Sequence, residues 1–128
     1  MFAKLLLGME VRIVAQPPEV SALLTAANEV TVPLRLGDGL DDIALESLRS
    51  ALRRCAQAWA NDQLIPKAGA NVLVDLANAV EATANLYPEG YRQRVQDVAW
   101  ELADLVRACV AVQPEQEAAL SANTGRAR

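Results

Sequence analysis

Histidine is absent from this 128-residue chain, and with it go the commonest general base and the commonest imidazole ligand for a transition metal. Aromatics are scarce as well: two Trp, two Tyr and one Phe. A sheet draws on aromatic and β-branched side chains, so that scarcity argues against one. The two cysteines, Cys55 and Cys109, lie far apart and both fall on apolar seams. They read as small buried hydrophobes of a reducing compartment, not as a disulfide framework or a metal pair. No uncharged apolar run approaches the ~20 residues that a membrane helix needs. Lys4-Leu5-Leu6-Leu7 begins like a secretory signal, but Glu10 and Arg12 interrupt it almost at once. A basic excess is missing too: 12 Lys and Arg against 16 Asp and Glu leave a net charge of −4, without the basic stripe of a nucleic-acid binder. These absences place the protein in the cytoplasm, with neither membrane nor nucleic acid as a partner.

What is present is helix-forming. Hydrophobic residues make up 52% of the chain, mostly Ala, Leu and Val, which suits helices. The most regular stretch is Tyr91 to Val112. There Tyr91, Val95, Val98, Leu102, Leu105, Cys109 and Val112 recur at steps of three and four, an apolar seam along one side of a helix. The back of that helix carries Gln93, Asp97, Trp100, Asp104 and Arg107.

Before it, Phe2, Leu6, Met9 and Ile13 share one face of a short helix over 2–15, although Gly8 and the Val11/Ile13 alternation also allow a strand. Pro17-Pro18 ends that segment and opens a second helix, with Val20, Leu23, Leu24, Ala27 and Val30 inward. Residues 31–39 read as a connection because of their β-branched residues, Pro33 and the Gly37-Asp38-Gly39 turn. Asp38 or Asp41 caps a third helix to about Asn61, whose seam is Leu45, Leu48, Leu52, Cys55 and Trp59. After Ile65-Pro66, a fourth runs from about Ala70 to Leu86 and buries Leu73, Leu76, Ala77, Val80, Ala84 and Tyr87. Its opposite face is the polar row Asn71, Asp75, Asn78, Ala82 and Asn85. The sum is a single all-α domain over 1–113, an antiparallel helical bundle of four to five helices, followed by a flexible tail over 114–128.

Few constellations carry chemistry. The carboxylates Asp38, Asp41, Asp42 and Glu46 lack the ligand alternation and terminal Glu of an EF-hand loop, and helix capping accounts for them. Arg49, Arg53 and Arg54 share a helix side with Glu46 and Asp42, which are expected to pair with them. Neither cysteine has a His to activate it. One string has a counterpart elsewhere. Trp100-Glu101-Leu102-Ala103-Asp104-Leu105-Val106 resembles the second motif of the all-α nucleoside triphosphate pyrophosphohydrolases, the MazG-like proteins. In that family a Glu and an Asp three apart help hold magnesium, and a Glu-x-x-Glu motif lies on the preceding helix. The matching positions are Asp75-x-x-Asn78 or Asn78-x-x-Glu81, with Pro66-Lys67 at the start of that helix also similar to some members. The resemblance covers about 59–112. It implies a magnesium site of Asp75, Glu81, Glu101 and Asp104, with an amide at Asn78 where a carboxylate is expected.

Trp100 poses a separate question, since it lies opposite its own helix's seam. Either the N-terminal helices cross the back of this helix and bury it, or it forms a partner surface with Asp97 and Asp104. Phe2, Leu6 and Met9 of the first segment are the other candidate interface residues. The leading expectation is a non-catalytic, cofactor-free interaction or self-association module, a homodimer or a binder of another protein. The first alternative is a divergent magnesium-dependent nucleotide pyrophosphohydrolase. The second is a bundle that takes a small apolar ligand beside Trp59 and Cys109.

Overall fold

The computed structural model describes residues 16–112, so the helix expected over 2–15 and the tail over 114–128 lie outside the described residues. Four helices account for the described chain: α1 (Pro18–Arg35), α2 (Asp42–Ala58), α3 (Lys67–Ala82) and α4 (Glu89–Val110), with a short 3-10 turn at Ala84–Leu86. No strand occurs among the described residues, and the fold is all-α.

Each helix follows from its punctuation and its apolar spacing. Pro18 at the first turn of α1 gives up only an N–H that would have lacked a partner, and Glu19 complements the dipole there. Val20, Leu23, Ala27, Val30 and Leu34 are buried along its inner side. The helix runs straight through 31–35, which the sequence reading assigned to a connection. Pro33 sits in the last turn, where the lost N–H would have bonded the carbonyl of the exposed Glu29, and water can take that place. Burial of Thr31 and Leu34 holds the turn inward. The free carbonyls beyond it are taken by Leu36 N–H to Val32 O (3.1 Å) and Asp38 N–H to Pro33 O (2.8 Å).

Asp41, not Asp38, caps α2: its Oδ1 accepts from the N–H groups of Ile43 (2.9 Å) and Ala44 (3.2 Å). All five seam residues of this helix, Leu45, Leu48, Leu52, Cys55 and Trp59, are buried. The helix itself stops at Ala58, three residues short of expectation. α3 starts at Lys67 and ends at Ala82, where the buried Thr83 hydroxyl donates to Val80 O (2.8 Å) and the chain tightens into the 3-10 turn. The row Asn71, Asp75, Asn78, Ala82 and Asn85 is exposed throughout. α4 buries Val95, Val98, Leu102 and Cys109, half-buries Tyr91 and Leu105, and stops at Val110, so Val112 falls beyond the seam.

The helices form a square. α1 packs on α2 and α3, and α4 packs on the same two, while the backbones of neither diagonal pair come close. Contacts climb together along α2 and α4: Asp42 meets Arg94, Arg49 meets Glu101, and the Cys109 thiol donates to Leu52 O. These two helices therefore point the same way, and the 59–66 link crosses the diagonal of the square. At one end, the start of α1 meets the end of α2, where Trp59 Nε1–H donates to Glu19 Oε2 (3.2 Å). At the other, a tyrosine clasp joins the α1–α2 loop to the start of α4. Tyr87 Oη donates to Leu34 O (2.8 Å) and accepts from Gly39 N–H (3.0 Å), and Tyr91 Oη accepts from Leu40 N–H (2.6 Å). Gly39 is required there: its φ is +86°, and a Cβ would lie 2.8 Å from Tyr91 Oη.

Candidate functional site

Two surfaces of α4 carry the residues singled out from the sequence. Its outer face presents Trp100, which is 70% exposed. The expectation that N-terminal helices would cover this side monomer-fashion is corrected for α1, which lies diagonally across the square and is not a neighbour of α4. Around the indole, successive turns are polar. Gln93 Nε2 donates to Asp97 (2.9 Å) and Arg107 pairs with Asp104 (2.5 Å). An apolar centre of one large aromatic is thus ringed by carboxylates, an amide and a guanidinium. Phe2, Leu6 and Met9, the other interface candidates, lie outside the described residues.

The side of α4 that faces α2 holds an ion-pair network. The Arg49 guanidinium grips Glu101 with two hydrogen bonds, Nε to Oε2 (2.7 Å) and Nη2 to Oε1 (2.9 Å), a fork geometry that favours arginine. Glu46 adds a bond to Arg49 (3.2 Å) and a longer contact to Arg53 (3.7 Å), and Arg94 pairs with Asp42. The hydrogen bonds from Arg49 hold the Glu101 carboxyl below its ordinary range against a smaller desolvation effect, and Glu101 in turn raises Arg49. Asp42 therefore pairs across helices with Arg94, not with the arginines of its own helix as spacing suggested. Arg49–Glu101 and Asp42–Arg94 are both 52 residues apart. Only the shared direction of α2 and α4 creates that coincidence, and a single sequence carries no sign of it.

The four carboxylates of the magnesium reading have different surroundings. Glu101 is held by Arg49 and Asp104 by Arg107. Asp75 borders a shallow recess of about 150 Å³ between α1 and α3, beside Arg35 and Asn71, and Glu81 is exposed. Among the described residues no group of three His, Cys, Asp or Glu side chains is placed to share a metal ion, and no described helix is long and apolar enough to cross a membrane.

At the Trp59 end of the bundle, a cleft of about 330 Å³ opens between the link after α2 and the end of α4. Trp59, Ile65, Cys109 and Val110 supply apolar wall, and Asp62 and Gln63 supply a polar edge. Cys109 and Cys55 are buried, and burial pushes both thiols up to about 11. Each donates instead to a carbonyl, Cys109 to Leu52 O (3.3 Å) and Cys55 to Glu19 O (3.5 Å). They are protonated packing groups at neutral pH. No family model matches this chain, and neither a curated protein nor a solved structure is found to be similar to it.

Proposed function

We propose that this protein is a non-catalytic cytoplasmic interaction module that self-associates through the outer face of α4, with Trp100 at the centre of the contact. The observation that carries this reading is the 70% exposure of the Trp100 indole on a helix whose other side is fully occupied by the core. An exposed Trp leaves a large apolar area in water; Trp is enriched among interface hot spots, and an apolar centre with a polar rim is the usual anatomy of an interface. A second copy is a chemically acceptable partner. If two α4 helices cross head to tail at Trp100, Arg107 faces Gln93 and Asp97 comes within one residue of level with Asp104 of the other copy, a like-charge approach that Arg107, paired with Asp104, offsets. The test is the emission of Trp100, read as the difference between the native protein and Trp100→Ala. A blue shift and loss of acrylamide quenching as concentration rises support self-association; an emission that stays red and quenchable at every concentration refutes it.

The cleft beside Trp59 and Cys109 favours a second reading, a bundle that takes a small apolar ligand there. Binding of a neutral apolar dye that Cys109→Phe abolishes supports it. The magnesium-dependent pyrophosphohydrolase reading requires Glu101 to leave Arg49, and it is tested by pyrophosphate release from nucleoside triphosphates that Glu101→Gln removes.

A further inference from the structure

The cleft at the Trp59 end of the bundle is poor in donors and rich in acceptors. The two side-chain donors of its apolar wall are already committed, Trp59 Nε1–H to Glu19 Oε2 (3.2 Å) and the Cys109 thiol to Leu52 O (3.3 Å). Asp62 borders the cleft and is exposed, and its carboxylate takes no hydrogen bond or salt bridge from another described residue. No Lys or Arg is among the described residues that line it.

The helices add a field of the same sign. α2 and α4 run in one direction, so both bring their C-terminal ends here: α2 stops at Ala58, beside Trp59, and α4 stops at Val110. Each such end carries about half a negative charge, spread over carbonyls that lack an intrahelical donor. Two parallel neighbours sum that field, whereas an antiparallel pair would cancel it. At α2 some carbonyls are answered, as by Ala60 N–H to Gln57 O (3.4 Å). At α4 the chain leaves in an extended conformation at Ala111, and neither Ala111 nor Val112 returns an N–H to a described carbonyl. Nor do basic side chains neutralise these ends. α2 has none in its last turn, and Arg107, in the last turn of α4, is paired with Asp104 on the outer face.

We propose that this cleft binds a small organic cation, an aryl or alkyl body that carries one primary ammonium. The body lies against Trp59, Ile65 and Val110, and the ammonium lies on the side of Asp62 and the open end of α4. The proposal rests on the apolar-ligand reading of the cleft and specifies the head group of that ligand. Volume sets the size: 330 Å³ is near the low end of ligand pockets, roughly 300–1,000 Å³, which suits a single ring or a short chain. The field selects a cation over an anion. The shortage of donors selects an ammonium, with its three N–H groups, over a neutral head that can only accept. Because Asp62 is exposed, the ammonium keeps part of its hydration, and the desolvation that opposes burial of a charge stays small.

The test is the binding of three probes with one phenyl body to the full chain at low salt and neutral pH: phenethylammonium, phenethyl alcohol and phenylacetate. Calorimetry reads the affinities, and proton–nitrogen NMR spectra locate the site through the Trp59 indole N–H and the Val110 amide. Phenethylammonium should bind at least about fivefold more tightly than phenethyl alcohol, and phenylacetate more weakly than either. Asp62→Asn should weaken phenethylammonium by about three- to fivefold and leave phenethyl alcohol unaltered. Asp38→Asn removes the same charge at the opposite end of the bundle and should alter neither, which separates a local site from general attraction to an acidic protein. If phenethyl alcohol binds as tightly as phenethylammonium, or if the two Asp variants weaken the ammonium equally, the cationic head is overturned and the apolar-ligand reading survives. If none of the three probes perturbs the Trp59 and Val110 signals, both are overturned.

Discussion

Replacing Glu101 with Gln tests whether this residue is held in place by the fold. The Glu101 carboxylate takes two hydrogen bonds from Arg49, at 2.7 and 2.9 Å, and joins α2 to α4. Fully buried, such a pair broken on one side would cost 3–5 kcal/mol. Here the side chains are 26% exposed for Arg49 and 40% for Glu101, so water screens the pair and Glu46 keeps part of Arg49 satisfied. The discounted expectation is about 1 kcal/mol, which lowers the urea midpoint by about 0.5–1 M. Because the folded-state carboxyl is held below its ordinary value of 4.5, this contribution is fully present above that value and is lost as pH falls through the lowered one. Urea unfolding of the native protein and Glu101→Gln at pH 7 and again near pH 3 checks the reasoning. The gap between the two proteins should narrow at the lower pH, and a cycle with Arg49→Gln should return a coupling of about 1 kcal/mol. A gap that is independent of pH, or a coupling indistinguishable from zero, would refute it.

Three further outcomes follow from single contacts. Asp41→Ala should cost about 1 kcal/mol in thermal or urea unfolding, because two N–H groups lose their acceptor, whereas Asp38→Ala should cost little. Gly69→Ala should destabilise by about 1–3 kcal/mol and alter Trp59 emission, since a Cβ there would stand 2.7 Å from the Trp59 ring. Tyr87→Phe removes a hydroxyl that bridges Leu34 O and Gly39 N–H in a buried site, and about 1–3 kcal/mol of stability should go with it, measured as a lowered melting temperature.

The seams of α2, α3 and α4 were legible because helical periodicity is a local property: a step of three or four places a side chain on one face whatever the neighbouring helix is. Pro33 misled for the opposite reason. Its effect depends on whether the carbonyl it abandons is exposed and whether the residues around it are buried, and both are tertiary facts. Arg49 illustrates the same limit at the candidate site. Sequence spacing offered it Glu46, and the structure gives it Glu101 as well, from a helix 52 residues away. The tyrosine clasp was half visible, since Tyr87 and Tyr91 were placed on apolar seams, but the demand of their hydroxyls for Leu34 O, Gly39 N–H and Leu40 N–H depends on the loop that comes to meet them. Trp100 was readable as an oddity from its position on the wheel. Its exposure had to be seen.

Sedimentation equilibrium on the native protein and on Trp100→Ala, over a range from micromolar to hundreds of micromolar, addresses the α4 surface most directly. The account predicts that the native chain passes to twice its monomer mass as concentration rises. Trp100→Ala should stay monomeric and, at a concentration where the native chain is also monomeric, should unfold at the same urea concentration, because the indole is 70% exposed. A native protein that is monomeric throughout, or a Trp100→Ala variant that dimerises as the native one does, would contradict it.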